Sequence, residues 1–161
     1  MEQKQKQIQV RFRLTDVSQL QFVKLTNEWP EGEMQIGNQL QFSSQTEKRV
    51  VFCTASFEYK RNDITQLMLT VRTTFEFERE GWSAMYQLQG DRWVLPAGLV
   101  QHLADITIGA YRGILAVRTE EAGLPKQILP LLSPAQMIRD NLALPRQVGG
   151  AEAATGPVAK A

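Results

Sequence analysis

The stretch VVFCTASFEYKRNDITQLMLTVRTTFEF, residues 50–77, decides the fold of this chain. Apolar and polar residues alternate through both of its halves, and a period of two is typical of a strand with one buried face. The apolar positions are Val51, Cys53, Ala55, Phe57 and Tyr59 in the first half, and Leu67, Leu69, Val71, Thr73, Phe75 and Phe77 in the second. The polar run Lys60-Arg61-Asn62-Asp63 separates the halves. The stretch therefore predicts an antiparallel pair of strands joined by a turn.

Two further strands precede this pair. Their apolar positions alternate in the same way, at Ile8, Val10, Phe12 and Leu14 in the first and at Met34, Ile36, Leu40 and Phe42 in the second. Pro30 and Gly32 place a loop or crossover between these two strands. A short polar run, Ser43 to Lys48, links the second strand to the pair, and so short a link favours antiparallel neighbours. One face of the resulting sheet is apolar and needs a cover.

The part of the chain from Leu95 onward supplies the cover, because apolar residues recur there at helical spacing, at Leu95, Leu99, Leu103, Ile106 and Ala110. This spacing predicts a helix that starts near Pro96 and ends near Gly113. Ser133-Pro134 has the form of an N-cap followed by proline, and it begins a second helix that continues to Leu142. The order of elements predicts an α+β protein, a four-stranded antiparallel sheet with two C-terminal helices packed on one face.

Length and composition indicate one domain. The 161 residues are 43% apolar and carry a net charge of +1. We expect a single domain over residues 1–144 and a disordered tail over residues 145–161, which are mainly Gly, Ala and Pro. The balanced charge argues against nucleic acid as a partner.

The expected compartment is the cytoplasm. A single cysteine, Cys53, cannot form a disulfide within the chain, and secreted domains of this size usually carry paired cysteines. The N-terminal residues MEQKQKQ lack the apolar run of a signal peptide, and no stretch is long enough for membrane insertion. With one His and one Cys, the usual ligand set of a zinc site is also missing from the sequence.

Catalytic motifs are absent from the sequence. His102 is the one imidazole, with Asp105 one helical turn away, but no G-x-S-x-G nucleophile motif accompanies this pair. Cys53 falls on an apolar strand position, where cysteine behaves as a small buried hydrophobe. Neither G-x-G-x-x-G nor G-x-x-x-x-G-K occurs. We therefore predict a protein that is not an enzyme and needs no cofactor.

Large apolar side chains also lie outside the predicted strands and helices. They are Trp29 in the crossover, Trp82 and Trp93 after the fourth strand, and Leu124, Ile128, Leu129, Leu131 and Leu132 in a loop broken by Pro125 and Pro130. Side chains of this kind either cap the core, the more frequent outcome for any single residue, or line an exposed groove. As a set they indicate a groove for an apolar ligand or a polypeptide.

The order of these motifs resembles the SecB export-chaperone family. The similar segments are Asp16-Val17-Ser18, the tryptophan-containing crossover at residues 27–31, a helix ending Ile106-Thr107-Ile108-Gly109-Ala110-Tyr111-Arg112-Gly113, the apolar loop at residues 127–132 and the second helix at residues 133–142. The resemblance extends over residues 8–142, and its weight comes from the order of the segments.

The resemblance implies an ATP-independent chaperone, a homotetramer built as a dimer of dimers, that holds secretory precursors unfolded and passes them to the SecA motor. In that family the crossover and the loop between the helices form the client groove. Polypeptide binding is therefore expected at Trp29, Ile128, Leu129, Leu131 and Met137, with Trp82 as a weaker addition. Assembly is expected to use the helix face turned away from the sheet, at Val100, Ile108 and Tyr111.

One feature departs from the family. Members that serve the translocase are typically acidic, whereas this chain has a net charge of +1 and carries Thr70 and Arg72 where acidic residues are expected. SecA thus stays open as a partner. The alternative is a SecB-like adaptor dedicated to one partner, for example an antitoxin or an assembly client, without SecA coupling. A thioester-hydrolysing fold is disfavoured because both helices follow the four strands.

Overall fold

The structure, a computed structural model, describes residues 10–26, 34–85, 88–89, 92–124, 132–145 and 154–160. Its strands are β1 (Phe12–Lys24), β2 (Gln35–Gln45), β3 (Val50–Arg61), β4 (Ile64–Phe77), β5 (Leu88–Gln89), β6 (Arg92–Leu95), β7 (Leu142–Pro145) and β8 (Ala154–Lys160). Its helices are α1 (Arg79–Met85), α2 (Ala97–Glu121) and the single turn α3 (Pro134–Met137).

The main sheet has the order β1-β4-β3-β2-β8, and all its pairs are antiparallel. The predicted hairpin is present, with Val51 opposite Phe75 and Arg61 opposite Ile64. Asn62 and Asp63 both have positive φ, which is the backbone form that suits a two-residue connection between twisted strands. The antiparallel arrangement of four strands is confirmed, although β1 is Phe12–Lys24 and not the predicted stretch from Ile8 to Leu14.

Helix α2 covers one face of the sheet. The ring of Tyr111 lies 4.2 Å from that of Phe57, and the hydroxyls of Thr73 and Thr107 are hydrogen bonded at 2.6 Å in the core. Gly113 does not end the helix, because the core-facing stripe continues through Leu115 to Thr119 and outweighs the cost of one exposed glycine.

The prediction that the assembly face of α2 points away from the sheet is wrong. Val100, Ile108 and Tyr111 are 1%, 3% and 0% exposed, because they pack on the chain's own sheet. Leu99 and Ile106, which the apolar stripe placed in the core, are only half-buried. The small residues Ala104 and Thr107 let the helix approach the sheet, so the core face is rotated from the stripe of large residues.

The predicted second helix is confined to one turn. Ile138 is extended, and its carbonyl accepts a hydrogen bond from Gln101 Nε2 at 2.7 Å. Asn141 Oδ1 accepts from the Ala97 N–H at 3.0 Å and so caps the start of α2. Strand β7 then pairs with β6 in a three-stranded sheet, β5-β6-β7, that the sequence did not predict. Tertiary partners thus replace the helical hydrogen bonds of this segment.

Two further differences concern the edges of the main sheet. Register shifts between Leu14 and Asp16 and between Gln19 and Gln21 mark bulges in β1, and each bulge exchanges the faces of the residues that follow. The tail was predicted to be disordered, but Ala154–Lys160 pairs with β2 as strand β8. Both edges therefore differ from regular alternating strands.

Candidate polypeptide-binding site

Two connections of the main sheet, β1–β2 and β3–β4, meet at one end. Cross-strand pairs place Lys24 opposite Leu67, Arg61 opposite Ile64, and Gln35 opposite Lys60. The end of β1, the β3–β4 turn and the start of β2 are therefore on the same side, which we call the loop end. The segment 27–33 lies outside the described residues, and both residues that flank it, Thr26 and Met34, belong to this end.

A hydrogen bond joins the end of α2 to the loop end. Lys24 Nζ donates to the carbonyl of Ala122 at 3.1 Å. Gly123 follows with φ 69°, and the Leu124 N–H returns to the Thr119 carbonyl at 2.9 Å, which is the usual geometry of a glycine-terminated helix. The segment after Lys24 and the segment after α2 consequently start from neighbouring points of the surface. These are the two segments, the crossover and the loop between the helices, that are predicted from the sequence to form the groove.

Apolar side chains are left exposed at the loop end. Leu25 is 59% exposed and Ile64 is 65% exposed. Met34 and Ile36, at the start of β2, are half-buried and pack against the core. An exposed isoleucine directly after a tight turn and an exposed leucine at a strand end leave apolar surface beside the start of both loop segments. This surface is the part of the candidate site that the structure describes.

Four of the six residues predicted to bind polypeptide lie outside the described residues: Trp29, Ile128, Leu129 and Leu131. Their assignment stays a prediction. Met137 is half-buried in the turn α3 and packs against the core. Its neighbour Ile138 bonds to Gln101, near the start of α2, so the structure places Met137 away from the junction of Lys24 and Ala122.

Trp82 belongs to an aromatic cluster at the opposite end of the sheet. Its ring centroid lies 5.5 Å from Phe77 and 5.1 Å from Trp93, and Phe12 lies 5.4 Å from Phe77. Trp82 is 6% exposed. The structure therefore does not bring Trp82 to the loop end, and it assigns this side chain to the core. Trp82 and Trp93, which is buried beside it, therefore cap the core and do not line an exposed groove.

The sheet face away from α2, which we call the open face, carries balanced charge. Arg13 pairs with Glu76 at 3.1 Å and Lys60 pairs with Glu58 at 3.4 Å. The guanidinium of Arg72 lies over the ring of Phe52, 5.1 Å from its centroid. Among the described residues, this face lacks the acidic excess that the SecB resemblance associates with SecA docking.

The groups considered for catalysis do not form a reactive site. Cys53 is fully buried, and burial raises the pKa of its thiol from 9.0 to about 12, with the Thr107 hydrogen bond acting in the opposite direction. His102 is exposed, and its ring lies 5.7 Å from Phe12. Within the described ranges, no group of three His, Cys, Asp or Glu side chains is placed to hold a metal ion. No helix in the described part of the chain is long and apolar enough to cross a membrane.

Leu25 and Ile64 are not among the residues predicted from the sequence. Ile64 follows the polar run 60–63, and Leu25 lies close before Pro30, so both apolar residues lie next to turn signals. An apolar residue beside a turn was the available signal, because a hairpin end has no further strand to cover it. The pairing of β8 with β2 had no comparable signal, since Gly156 and Pro157 are unfavourable in strands.

Comparison with known proteins supports the fold. No family model matches this chain, and no curated protein matches it. Among solved structures, it is similar to the SecB-like chaperone Rv1957 of Mycobacterium tuberculosis in complex with a ChAD peptide from the Rv1956 HigA1 antitoxin. The TM-score is 0.53 at 12% identity, over 76% of this chain and 88% of that chain. At this identity the likeness shows the fold alone, and it agrees with the predicted α+β architecture.

Proposed function

We propose that this protein binds extended, unfolded polypeptide segments at the loop end and holds them without ATP, as a SecB-like chaperone. The observation that carries the proposal is the exposed apolar surface at Leu25 and Ile64, beside the junction of Lys24 and Ala122 from which both predicted groove segments start. The SecB-like fold of the solved neighbour, which was bound to a peptide, gives independent support.

The energetics favour weak contacts that act together. Full burial of an exposed leucine or isoleucine side chain contributes about 1.5–3 kcal/mol. Association costs several kcal/mol in lost translational and rotational freedom, so two such side chains give weak binding at one site. Several sites on one assembly raise the overall affinity because later contacts become intramolecular. Weak contacts of this kind suit clients that share only apolar, extended segments.

Assembly as a homotetramer is part of this proposal, and β1 is the element proposed to mediate it. Among the described residues, β1 is an edge strand of the main sheet. It carries three exposed apolar side chains, Leu14, Val17 and Leu20. An edge strand with exposed apolar residues favours pairing with another chain. The exposed side chains of β1 are now the proposed assembly interface, in place of Val100, Ile108 and Tyr111, which are buried in the protomer.

The test is suppression of aggregation with two unrelated clients, chemically denatured citrate synthase and rhodanese, without nucleotide. Light scattering of the same samples gives the mass of the chaperone species. We expect both clients to be held by a species of about four chains. Failure to hold either client contradicts the proposal. Leu25→Ser and Ile64→Ser are matched variants that we expect to weaken holding without changing the mass.

A second candidate function is a dedicated adaptor without SecA coupling. Two observations favour it: the neighbour's peptide comes from an antitoxin, and the open face pairs its acidic residues Glu58 and Glu76 with cations. A dedicated adaptor holds one partner and leaves both general clients to aggregate. Breadth of clients therefore separates the two functions, and co-sedimentation with SecA tests the coupling directly.

A further inference from the structure

Strand β8 covers the outer edge of β2. Its register places Lys160 opposite Gln39, Val158 opposite Gln41 and Ala154 opposite Ser44, in antiparallel pairing. The other side of β2 is fully paired with β3, from Gln35 to Gln45. A segment near the C-terminus of the chain therefore fills a position that any extended peptide could fill by backbone pairing.

The sequence of β8 makes it a weak strand. Ala154-Thr155-Gly156-Pro157-Val158-Ala159-Lys160 contains a glycine and a proline in its centre, and both residues are depleted in strands. The register shift between Gln41 and Ser43 coincides with Gly156 and Pro157, because Pro157 has no N–H to donate to the ladder. A strand that pairs imperfectly is displaced by a segment that pairs continuously.

The pairing also stops short of the loop end. Residues Gln35 to Asn38 of β2 have no partner in β8. A cavity of about 220 Å³ lies on the open face across β2, β3 and β4, lined by Gly37, Glu58 and Met68 among others. Asn38 Oδ1 is buried and has no hydrogen-bond partner among the described residues. The uncovered part of β2 thus combines a buried acceptor with backbone positions that β8 does not pair, next to the apolar surface at Ile64.

We propose that β8 is an internal competitor for a strand-addition site on the edge of β2, and that an extended polypeptide segment displaces it. The incoming segment pairs first with Gln35 to Asn38 and then replaces β8 from Lys160 towards Ala154, since Lys160 lies nearest the loop end. The inference rests on the proposed function, and it adds a regulated second contact to the polypeptide site.

A release variant tests the competition in the full chain. Val158→Pro with Ala159→Pro removes a ladder donor, because one of any two consecutive residues in an antiparallel strand directs its N–H to the partner. The probe is fluorescent, reduced and carboxymethylated α-lactalbumin, which stays unfolded, and anisotropy gives its affinity. If β8 covers the edge about nine-tenths of the time, release tightens binding about tenfold. Ala151→Pro with Glu152→Pro, which precedes β8, is the matched control and is expected to bind as the wild type does.

A locked variant tests the opposite direction. Gln41→Cys with Val158→Cys places one thiol on each of two positions that the register sets opposite each other. Cys53 is buried and does not compete for the new thiols. We expect the oxidised form to lose the contact at this edge and to bind the probe more weakly than the wild type, and reductant to restore binding.

The outcomes separate this inference from the proposed function. Opposite shifts in the released and locked forms support the competition. Failure of the two cysteines to crosslink overturns the pairing of β8 with β2, and equal binding by wild-type, released and locked forms overturns the competition while the proposed function stands. If the wild type and the released form both fail to bind the probe, the proposed function fails and the inference falls with it.

Discussion

Lys24 Nζ and the carbonyl of Ala122 are hydrogen bonded at 3.1 Å, which joins the end of β1 to the end of α2 across 98 residues of sequence. A lysine at a helix C-terminus also interacts favourably with the negative end of the helix dipole. The bond fixes the points from which two separate loop segments start. We regard this contact as the structural basis of the candidate site.

Removing this bond is expected to affect stability and binding together. Lys24→Met keeps the aliphatic stem but loses the donor, and a hydrogen bond from a charged group contributes about 1.5–3 kcal/mol. We expect a loss of free energy of unfolding in the lower part of that range, measured by urea denaturation, and weaker client binding. Lys60→Met removes an exposed ion pair at the same end and is the control, with a change below about 1 kcal/mol. Equal effects of both variants would contradict the role of Lys24.

Substitutions of Trp82 and Trp29 are expected to distinguish the stability of the core from client binding. Trp82→Ala opens a cavity in the aromatic cluster and is expected to cost about 3–5 kcal/mol of unfolding free energy. The folded fraction should still bind client at wild-type affinity. Trp29→Ala is the converse variant, with little effect on stability and about tenfold weaker client binding. Denaturation measures the stability of each variant and anisotropy measures its client binding. Weaker client binding by Trp82→Ala and unchanged binding by Trp29→Ala would place the binding site at the aromatic cluster.

Alkaline pH is expected to destabilise the fold through Cys53. The folded-state pKa is raised to about 12 from 9.0, so the unfolded state ionises first. The contribution of the buried, neutral thiol to the free energy of unfolding is complete below about pH 9. It is lost as pH rises towards 12, at up to about 1.4 kcal/mol per pH unit. Urea denaturation of Cys53→Ala between pH 7.5 and 10.5 should show a smaller loss of unfolding free energy per pH unit than the wild type shows. Ala55→Gly, at a neighbouring core position without a titrating group, should keep the wild-type loss of unfolding free energy per pH unit. The same loss in Cys53→Ala as in the wild type would refute the role of Cys53 in the alkaline destabilisation.

Assembly is expected to depend on the exposed side chains of β1. Val17 is 41% exposed on this edge strand, so Val17→Lys adds charge to the proposed interface without disturbing the core. We expect light scattering to show one or two chains in place of about four. Ile64→Lys makes the same kind of change at the loop end and should leave the mass unchanged. A tetramer that survives Val17→Lys would remove β1 from the interface.

The main sheet could be predicted because its strands pair through short connections. The alternation in residues 50–77 gives the faces of β3 and β4 directly, and Asn62-Asp63 supplies the turn between them. Strands β7 and β8 could not be predicted in the same way. Their pairing partners are distant in sequence, and the Ala, Gly and Pro residues of the tail have no period to identify.

From the sequence, the candidate site could be proposed only as two segments of the chain. Apolar residues in the crossover and in the proline-containing loop indicate a groove, but Trp29 and Trp82 carry the same signal in the sequence. Trp82 is buried because Phe77 and Trp93 pack on both sides of it, and such contacts depend on the fold. The orientation of α2 was misjudged for a similar reason, because small residues such as Ala104 decide which face approaches the sheet.

Hydrogen exchange of the full chain, measured by mass spectrometry with and without saturating reduced and carboxymethylated α-lactalbumin, tests the central claim most directly. The account predicts slower exchange on binding in residues 22–36 and 120–134, while the aromatic cluster around Trp82 exchanges as in the free protein. Slower exchange confined to the open face around Arg72, or no change anywhere, would contradict polypeptide binding at the loop end.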